Sequence, residues 1–173
     1  VSGGVAGAKS RGLTIMAAGP AELIAEARPV FEALGNRIFH VGLRPGQGAA
    51  MKSINQLLCG VHLAAAAEAL AFAAKLGIDP DAALQILGGS AAASWMLGDR
   101  GPRMLEATPV VTSAVDIFVK DLGIVLEAGR DARAALPLAA IAHQMFLATS
   151  GRGNGSADDS QVIQAYRMLA GHP

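Results

Sequence analysis

The residues of greatest chemical interest in this 173-residue sequence are a lysine and two amides, Lys52, Asn55 and Gln56. Residues three and four positions apart face the same way on a helix, so both amides would lie beside the ammonium group. A lysine in this setting could hold a hydroxylated substrate and exchange its proton. A solvated helix start explains the same residues, and the spacing alone leaves both interpretations open.

Ser2-Gly3-Gly4 is a second candidate, because it offers a hydroxyl and successive backbone N–H groups without side-chain bulk. Such a concavity suits a carboxylate. An ordinary glycine turn is the alternative interpretation. The preceding Val1 is not a methionine and is typical of the end of a buried strand, so we expect that further sequence preceded it.

A third candidate is the pair Lys120-Asp121, which interrupts an apolar helical pattern and would ordinarily form an exposed patch. The potential metal ligands include one cysteine, Cys59, and four histidines, His40, His62, His143 and His172. Because the histidines do not have the spacing of metal ligands and there is no second cysteine, we expect no metal site. The aromatic residues, among them Trp95, Tyr166 and the phenylalanines, are assigned to the core because they are not interleaved with basic residues.

The composition limits the classes of function. Lys plus Arg and Asp plus Glu each number 14, so the net charge is zero and no field favours nucleic acid or an anionic membrane. Hydrophobic residues make up 52% against 16% charged residues, a surplus that predicts a homodimer or higher homo-oligomer.

The single cysteine fits a reducing, cytoplasmic location. The apolar run 57–76 contains His62, Glu68 and Lys75, which favours a packed helix over a membrane span.

The elements that must position these groups follow from apolar periodicity and helix breakers. Strands are predicted at 13–17 and 37–41, separated by a helix at 20–34 with Gly35 as a left-handed cap. A long helix at 48–76 carries Lys52 near its start. Further helices are predicted at 80–88, 94–106, 115–128, 136–149 and 160–169, with a mobile glycine-rich loop at 150–156. The fold class is therefore mainly α, with a small α/β segment at 1–45 and an all-helical region at 46–173.

Three segments, taken together, resemble the β-hydroxyacid dehydrogenase family of the 3-hydroxyisobutyrate dehydrogenase type. They are VSGGVAGAKSRGLTIMAAG, GQGAAMKSINQLL and VDIFVKDLGIVLEAGR, in the family's order. The resemblance implies that 1–45 is the C-terminal remnant of a Rossmann NAD(P)-binding domain. It implies that 46–173 is a helical substrate and dimerisation domain, similar to the C-terminal domain of 6-phosphogluconate dehydrogenase.

The same resemblance implies roles for individual residues. Lys52 falls on the family's catalytic lysine, and Ser2, Gly3 and Gly4 fall on the turn that receives the substrate carboxylate. Lys120 falls on a lysine near the nicotinamide end of the cofactor. Family members commonly carry two asparagines after the catalytic lysine, the second of which contacts substrate. Here the pair is Asn55-Gln56, which keeps the amide but extends it by one methylene.

The implied function is that of the C-terminal part of an oxidoreductase that transfers a hydride between NAD or NADP and a small hydroxy acid. The pattern is most similar to the branch that oxidises four-carbon sugar acids such as L-threonate. The alternatives are reduction of tartronate semialdehyde, oxidation of 3-hydroxyisobutyrate, and a non-catalytic helical dimerisation module. A G-x-G-x-x-G fingerprint that begins at Gly46 fails at Met51, so we expect the nucleotide-binding half to lie outside this chain and the chain alone to be inactive.

Overall fold

The structure is a computed structural model of the chain, and it describes residues 1–171. His172, one of the four histidines considered above, lies outside the described residues. The chain forms two compact units, the first comprising residues 1–55 and the second beginning at Gln56. The first unit contains α1 (Gly4–Lys9), β1 (Leu13–Ala18), α2 (Ala21–Leu34) and β2 (Gly35–Gly42). A long helix, α3 (Gln47–Lys75), begins in the first unit and continues into the second.

The second unit is helical throughout the part that the structure describes. It contains α4 (Pro80–Gly88), α5 (Trp95–Leu105), α6 (Val115–Asp131), α7 (Pro137–Thr149) and α8 (Ile163–Leu169). A π-helical turn (Ser150–Asn154) and a 3-10 turn (Asp159–Val162) connect α7 to α8. The mainly α fold class is confirmed, and the helices lie close to their predicted positions.

The two strands of the first unit pair in parallel, with Ile15 opposite Ile38. Alternate side chains of β1 point to one buried face, which explains why Ile15 and Ala17 are buried while their neighbours are not. Ser2 adds an antiparallel bridge to Thr14, in which each backbone N–H donates to the other residue's carbonyl over 2.8 Å. The predicted strand, helix, strand order of this segment is confirmed.

Gly35 corrects one prediction in this unit. It does not cap α2 in the left-handed region, because its φ is −155° and it begins β2. A Cβ at this position would lie 2.1 Å from the carbonyl oxygen of Leu13. The glycine is therefore needed for close approach of two strands rather than for a positive φ.

The α3 helix supplies a large part of the helical core. One face of the helix is buried between positions 63 and 73, where Leu63 and Ala67 are fully buried. By length and composition it could cross a membrane, and 44% of its most apolar window is buried in the protein. One such helix is weak evidence for a membrane span, because the core helix of a soluble protein passes the same test. Alanine at these positions lets neighbouring helices approach closely. The helix was predicted to have a buried middle, and this is confirmed.

The remaining core lies between α3, α6, α7 and α8. Phe118 of α6 stacks on Phe146 of α7 with ring centroids 4.9 Å apart, and Tyr166 of α8 is also buried. The assignment of all aromatic residues to the core was nevertheless wrong. Trp95 is 71% exposed and Phe72 is 60% exposed, because both lie on helix faces that this chain does not cover.

The glycine-rich segment predicted as a mobile loop has a π-helical turn at Ser150–Asn154, which is kinked at Gly153 where φ is 88°. The Ser150 hydroxyl donates to Asp116 Oδ1 over 2.6 Å, and the Asp116 N–H donates to the Gly155 carbonyl over 3.0 Å. A Cβ on Gly155 would lie 2.4 Å from the Asp116 carboxylate. The segment is therefore anchored to the first turn of α6.

Candidate active site

Lys52 lies in the second turn of α3 and is half-buried, as are Asn55 and Gln56 in the next turn. The three residues belong to one continuous helix, as their spacing predicted. Gly48 lets the start of this helix pack against β1, since a Cβ there would lie 2.3 Å from the Met16 carbonyl oxygen. The strand therefore holds the turn that carries Lys52.

The beginning of the chain lies within electrostatic range of Lys52. The Lys52 ammonium group interacts electrostatically with the backbone nitrogen of Val1, the residue before Ser2. Val1 and Lys52 both belong to the first unit.

The Ser2 turn differs from the sequence expectation in one respect. The Ser2 N–H donates to Thr14 within the bridge described above, so it is committed to backbone pairing. Gly3 and Gly4 have φ values of 134° and 59°, which glycine adopts without strain, and α1 begins at Gly4. The groups that remain to meet a carboxylate are the Ser2 hydroxyl and the N–H groups of the two glycines.

In the second unit, Asp121 joins two of the predicted site residues. Its Oδ2 accepts a hydrogen bond from Gln56 Nε2 over 2.6 Å, and its Oδ1 pairs with Lys120 Nζ over 2.8 Å. The Lys120 side chain is 65% exposed, whereas that of Asp121 is only 14% exposed. The sequence predicted that Lys120 and Asp121 form an exposed patch. The structure shows that Lys120 is exposed but Asp121 is not.

Tight packing fixes the position of this triad. Gly60 lies one turn after Gln56, and a Cβ on it would lie 2.9 Å from both methyl groups of Leu122. Leu122 follows Asp121 in α6 and is fully buried. Because a Cβ at position 60 would overlap Leu122, the glycine lets α3 and α6 approach closely beside Gln56 and Asp121.

A buried ionic cluster in the second unit was not predicted. Asp159 accepts hydrogen bonds from Arg100 Nε over 2.9 Å and Nη2 over 3.1 Å, and Asp158 accepts from Arg103 Nη1 over 2.7 Å. Both carboxylates are almost completely buried, and Asp99 contacts both arginines at the exposed edge. This cluster joins α5 to the 3-10 turn.

The pKa values of the two carboxylates in the cluster are shifted in opposite directions. Burial would raise the pKa of Asp158, but hydrogen bonds from Thr112 and Ser160 and the charge of Arg103 outweigh it and lower the pKa. Burial raises the pKa of Asp159, and the hydrogen bonds and charge of Arg100 offset only part of that effect. Asp158 is therefore the better stabilised of the two carboxylates.

Among residues 1–171, no group of three or more His, Cys, Asp or Glu side chains could hold a metal ion. Two histidine rings contact backbone carbonyls: His40 Nε2 lies 2.8 Å from the Gly19 oxygen, and His143 Nε2 lies 3.0 Å from the Val119 oxygen. These contacts describe structural histidines.

Two family models match the chain. One is described as the NAD-binding region of NADP-dependent 3-hydroxyisobutyrate dehydrogenase and matches residues 46–166. The other is described as the NAD binding domain of 6-phosphogluconate dehydrogenase and matches residues 1–42. The first model covers well over half of the sequence.

The chain is also similar in sequence and structure to individual known proteins. The chain is 48% identical to L-threonate dehydrogenase of Cupriavidus necator over 96% of its own length and 56% of that enzyme's. It is 41% identical to L-threonate dehydrogenase of Escherichia coli over 96% of its own length and 55% of that enzyme's. The crystal structure of 3-hydroxyisobutyrate dehydrogenase from Salmonella typhimurium superposes with a TM-score of 0.88 at 41% identity, covering 95% of this chain and 57% of that one. The chain thus spans little more than half the length of these relatives.

Proposed function

The chain belongs to the 3-hydroxyisobutyrate dehydrogenase family, and from this premise we propose that the protein containing it is an NAD(P)-dependent hydroxyacid dehydrogenase. One observation carries the proposal. Lys52, followed by Asn55 and Gln56, lies half-buried near the start of α3, in a segment that matches the family model. A half-buried lysine beside two amides can bind a hydroxyl group and move its proton.

We assign the following roles to the residues of this chain. Lys52 exchanges the proton of the substrate hydroxyl. The Ser2 hydroxyl and the N–H groups of Gly3 and Gly4 anchor the substrate carboxylate, and Asn55 and Gln56 bind the substrate's hydroxyl groups. Holding both ends of a small acid in this way limits its motion and presents one carbon for reaction.

The cofactor of this proposal is NAD or NADP, which accepts the hydride when it is bound. Lys120 fits a position beside it, because the ammonium group is largely exposed while its pairing with Asp121 restrains the side chain. An exposed, restrained ammonium group can donate hydrogen bonds to a polar ligand. We also propose that two domains meet near residue 46, where the nucleotide-binding domain ends and the helical substrate domain begins.

For the substrate we propose a four-carbon sugar acid such as L-threonate. The two relatives named L-threonate dehydrogenase support this choice. The alternative is 3-hydroxyisobutyrate, which is supported by the name of the superposed Salmonella protein. The two acids differ in the number of hydroxyl groups, which is the feature that the amides of Asn55 and Gln56 would detect.

We also propose that the protein is cytoplasmic and forms a homodimer or larger homo-oligomer. Large apolar side chains of α3 are exposed, among them Leu58 at 49% and Phe72 at 60%, and Leu76, directly after the helix, is 59% exposed. Exposed apolar side chains of this size are often covered by another subunit.

The test is a cofactor-reduction assay on the complete purified protein. L-threonate and 3-hydroxyisobutyrate are each supplied with NAD⁺ and with NADP⁺, and absorbance of the reduced nicotinamide is followed. We expect reduction with L-threonate and one preferred cofactor, and slower reduction with 3-hydroxyisobutyrate. Absence of reduction with every combination would refute the proposed function, while a preference for 3-hydroxyisobutyrate would refute only the choice of substrate.

A further inference from the structure

We propose that a cleft in the helical unit binds a small carboxylic acid with an apolar side chain, and that Arg152 pairs with the carboxylate. The cleft lies between the loop 107–111, the π-helical turn and the segment that runs from the 3-10 turn into α8. Its described lining residues all belong to the second unit, and they do not include those assigned above to substrate or cofactor. The inference therefore goes beyond the proposed function and does not depend on it.

The size and the apolar surface of the cleft suit such a ligand. Its volume is about 490 Å³, and pockets that hold small molecules generally measure about 300–1,000 Å³. Val111 and Met168 contribute exposed apolar side chains to the lining. An aliphatic group placed against them would remove apolar surface from water on both partners. The cleft thus favours a ligand with an apolar body.

The accessible charge of the cleft is positive. Its described lining contains two charged residues, Arg152 and Asp158. The Asp158 side chain is fully buried, and it accepts hydrogen bonds from Arg103 Nη1 over 2.7 Å and from the N–H groups of Thr112 and Ser160 over 3.0 and 3.2 Å. Arg152 is exposed, and in the part of the chain that the structure describes its guanidinium has no ion pair or hydrogen bond. An anion that enters the cleft therefore meets an unpaired cation.

The backbone that carries Arg152 is anchored. Arg152 and Asn154 belong to the π-helical turn, which the Ser150 hydroxyl ties to Asp116. The Ala157 N–H donates to the Asn154 carbonyl over 3.1 Å and fixes the end of the turn. The Asn154 side chain also lines the cleft, and its amide nitrogen can donate to a carboxylate oxygen. A fixed backbone lowers the cost of ordering the site when a ligand binds.

A carboxylate matches these groups better than a phosphate does. One guanidinium balances the single charge of a carboxylate and presents parallel N–H donors to its two oxygens. A phosphate carries more charge, and Arg152 is the one cation among the described lining residues. The facing wall is polar but neutral, since Gln161 Oε1 accepts from Gln164 Nε2 over 3.1 Å. The cleft therefore supplies donors for one carboxylate.

The experiment titrates the complete protein, labelled with ¹³C at its methionine methyl groups, with sodium 4-methylpentanoate and follows the methyl resonances by NMR. Met168 lines the cleft, whereas Met51 is next to Lys52 in α3 and reports on the candidate active site. Substitution of each methionine by leucine assigns the two resonances. We expect a saturable shift of the Met168 resonance with a Kd of about 1–20 mM, the range for a ligand of this size, and no shift of the Met51 resonance.

Two related compounds and one other anion test the chemistry of recognition. The neutral 4-methylpentanamide lacks the charge and acetate lacks the apolar body, so each should bind at least about tenfold more weakly. Inorganic phosphate should not displace 4-methylpentanoate. Arg152→Met should weaken 4-methylpentanoate binding at least about tenfold, because the charge-assisted hydrogen bonds are lost. Arg130→Met removes an exposed arginine outside the cleft and should leave the Kd within about twofold of wild type.

Four results would overturn the inference. The first is the absence of a saturable Met168 shift below about 100 mM 4-methylpentanoate. The second is binding of the neutral amide or of phosphate as tightly as the acid, and the third is unchanged affinity in Arg152→Met. The fourth is a shift of the Met51 resonance without one of Met168, which would assign the acid to the candidate active site instead.

Discussion

Removal of the Arg100 guanidinium should destabilise the helical unit more than any other single change to its ionic cluster. Arg100→Met keeps much of the side chain's length but leaves Asp159, which is fully buried, without its two hydrogen bonds from Arg100 at 2.9 and 3.1 Å. Removing one partner of a buried ion pair costs about 3–5 kcal/mol, because the other charge remains uncompensated. We expect a loss of that size in the free energy of unfolding at pH 7.

Arg103→Met should cost less, about 1–3 kcal/mol. The reason is that Asp158 keeps hydrogen bonds from the backbone N–H groups of Thr112 at 3.0 Å and Ser160 at 3.2 Å. Arg130→Met is the matched control, since Arg130 lies exposed in the last turn of α6, and it should change stability by about 0.5 kcal/mol or less. Urea denaturation followed by circular dichroism gives the three midpoints.

The destabilisation by Arg100→Met should shrink at lower pH. Burial raises the pKa of Asp159, and loss of the neighbouring cation raises it further, so the folded variant binds a proton as the pH falls. The penalty is complete above the folded-state pKa and vanishes below the unfolded-state value. The reasoning is refuted if Arg100→Met unfolds at the same denaturant concentration as Arg130→Met, or if its deficit grows as the pH is lowered.

Three further outcomes are expected. Gly60→Ala should cost about 1–3 kcal/mol, because its Cβ would overlap the buried Leu122, while Gly88→Ala, which meets nothing within 4 Å, should be neutral or stabilising by denaturant midpoint. Ser2→Ala in the complete enzyme should chiefly raise the KM of the hydroxy acid, and an unchanged KM with a lowered kcat would contradict the anchoring role. Sedimentation should show a dimer or larger species at micromolar concentration, and a stable monomer would contradict self-association.

The sequence was most informative about helices, because their ends carry local signals. Asp79 caps α4 by accepting from the Asp81 N–H, with Pro80 in the first position, and both features can be read directly from neighbouring residues. The α3 helix was predicted to within one residue at each end for the same reason. Gly35 shows the limit of such signals, since a glycine after a helix serves either a left-handed cap or a close strand contact.

Contacts between distant parts of the chain could not be predicted. Arg100 and Asp159 are 59 positions apart, and Gln56 and Asp121 are 65 apart. The first pair depends on α5 packing against the 3-10 turn and the second on α3 packing against α6, and no short motif encodes that packing. Trp95 was misplaced because an aromatic side chain identifies an apolar surface but not whether this chain covers it.

The individual site residues were nominated by spacing and by family resemblance, and their roles remain predictions. The structure adds that Gln56 and Lys120 share a partner, Asp121, and that the Ser2 N–H is committed to the bridge with Thr14. Neither fact follows from residue types. Both depend on backbone positions that only the folded chain defines.

The most direct test of the account is the kcat of Lys52→Met in the complete enzyme with its preferred hydroxy acid. Methionine keeps the unbranched length and helix propensity of lysine but cannot exchange a proton. Lys75→Met, at the exposed end of the same helix, is the matched control and should keep kcat within about twofold. We predict that Lys52→Met lowers kcat by about 100- to 10,000-fold, while a kcat within about tenfold of wild type would contradict Lys52 as the proton-exchanging residue.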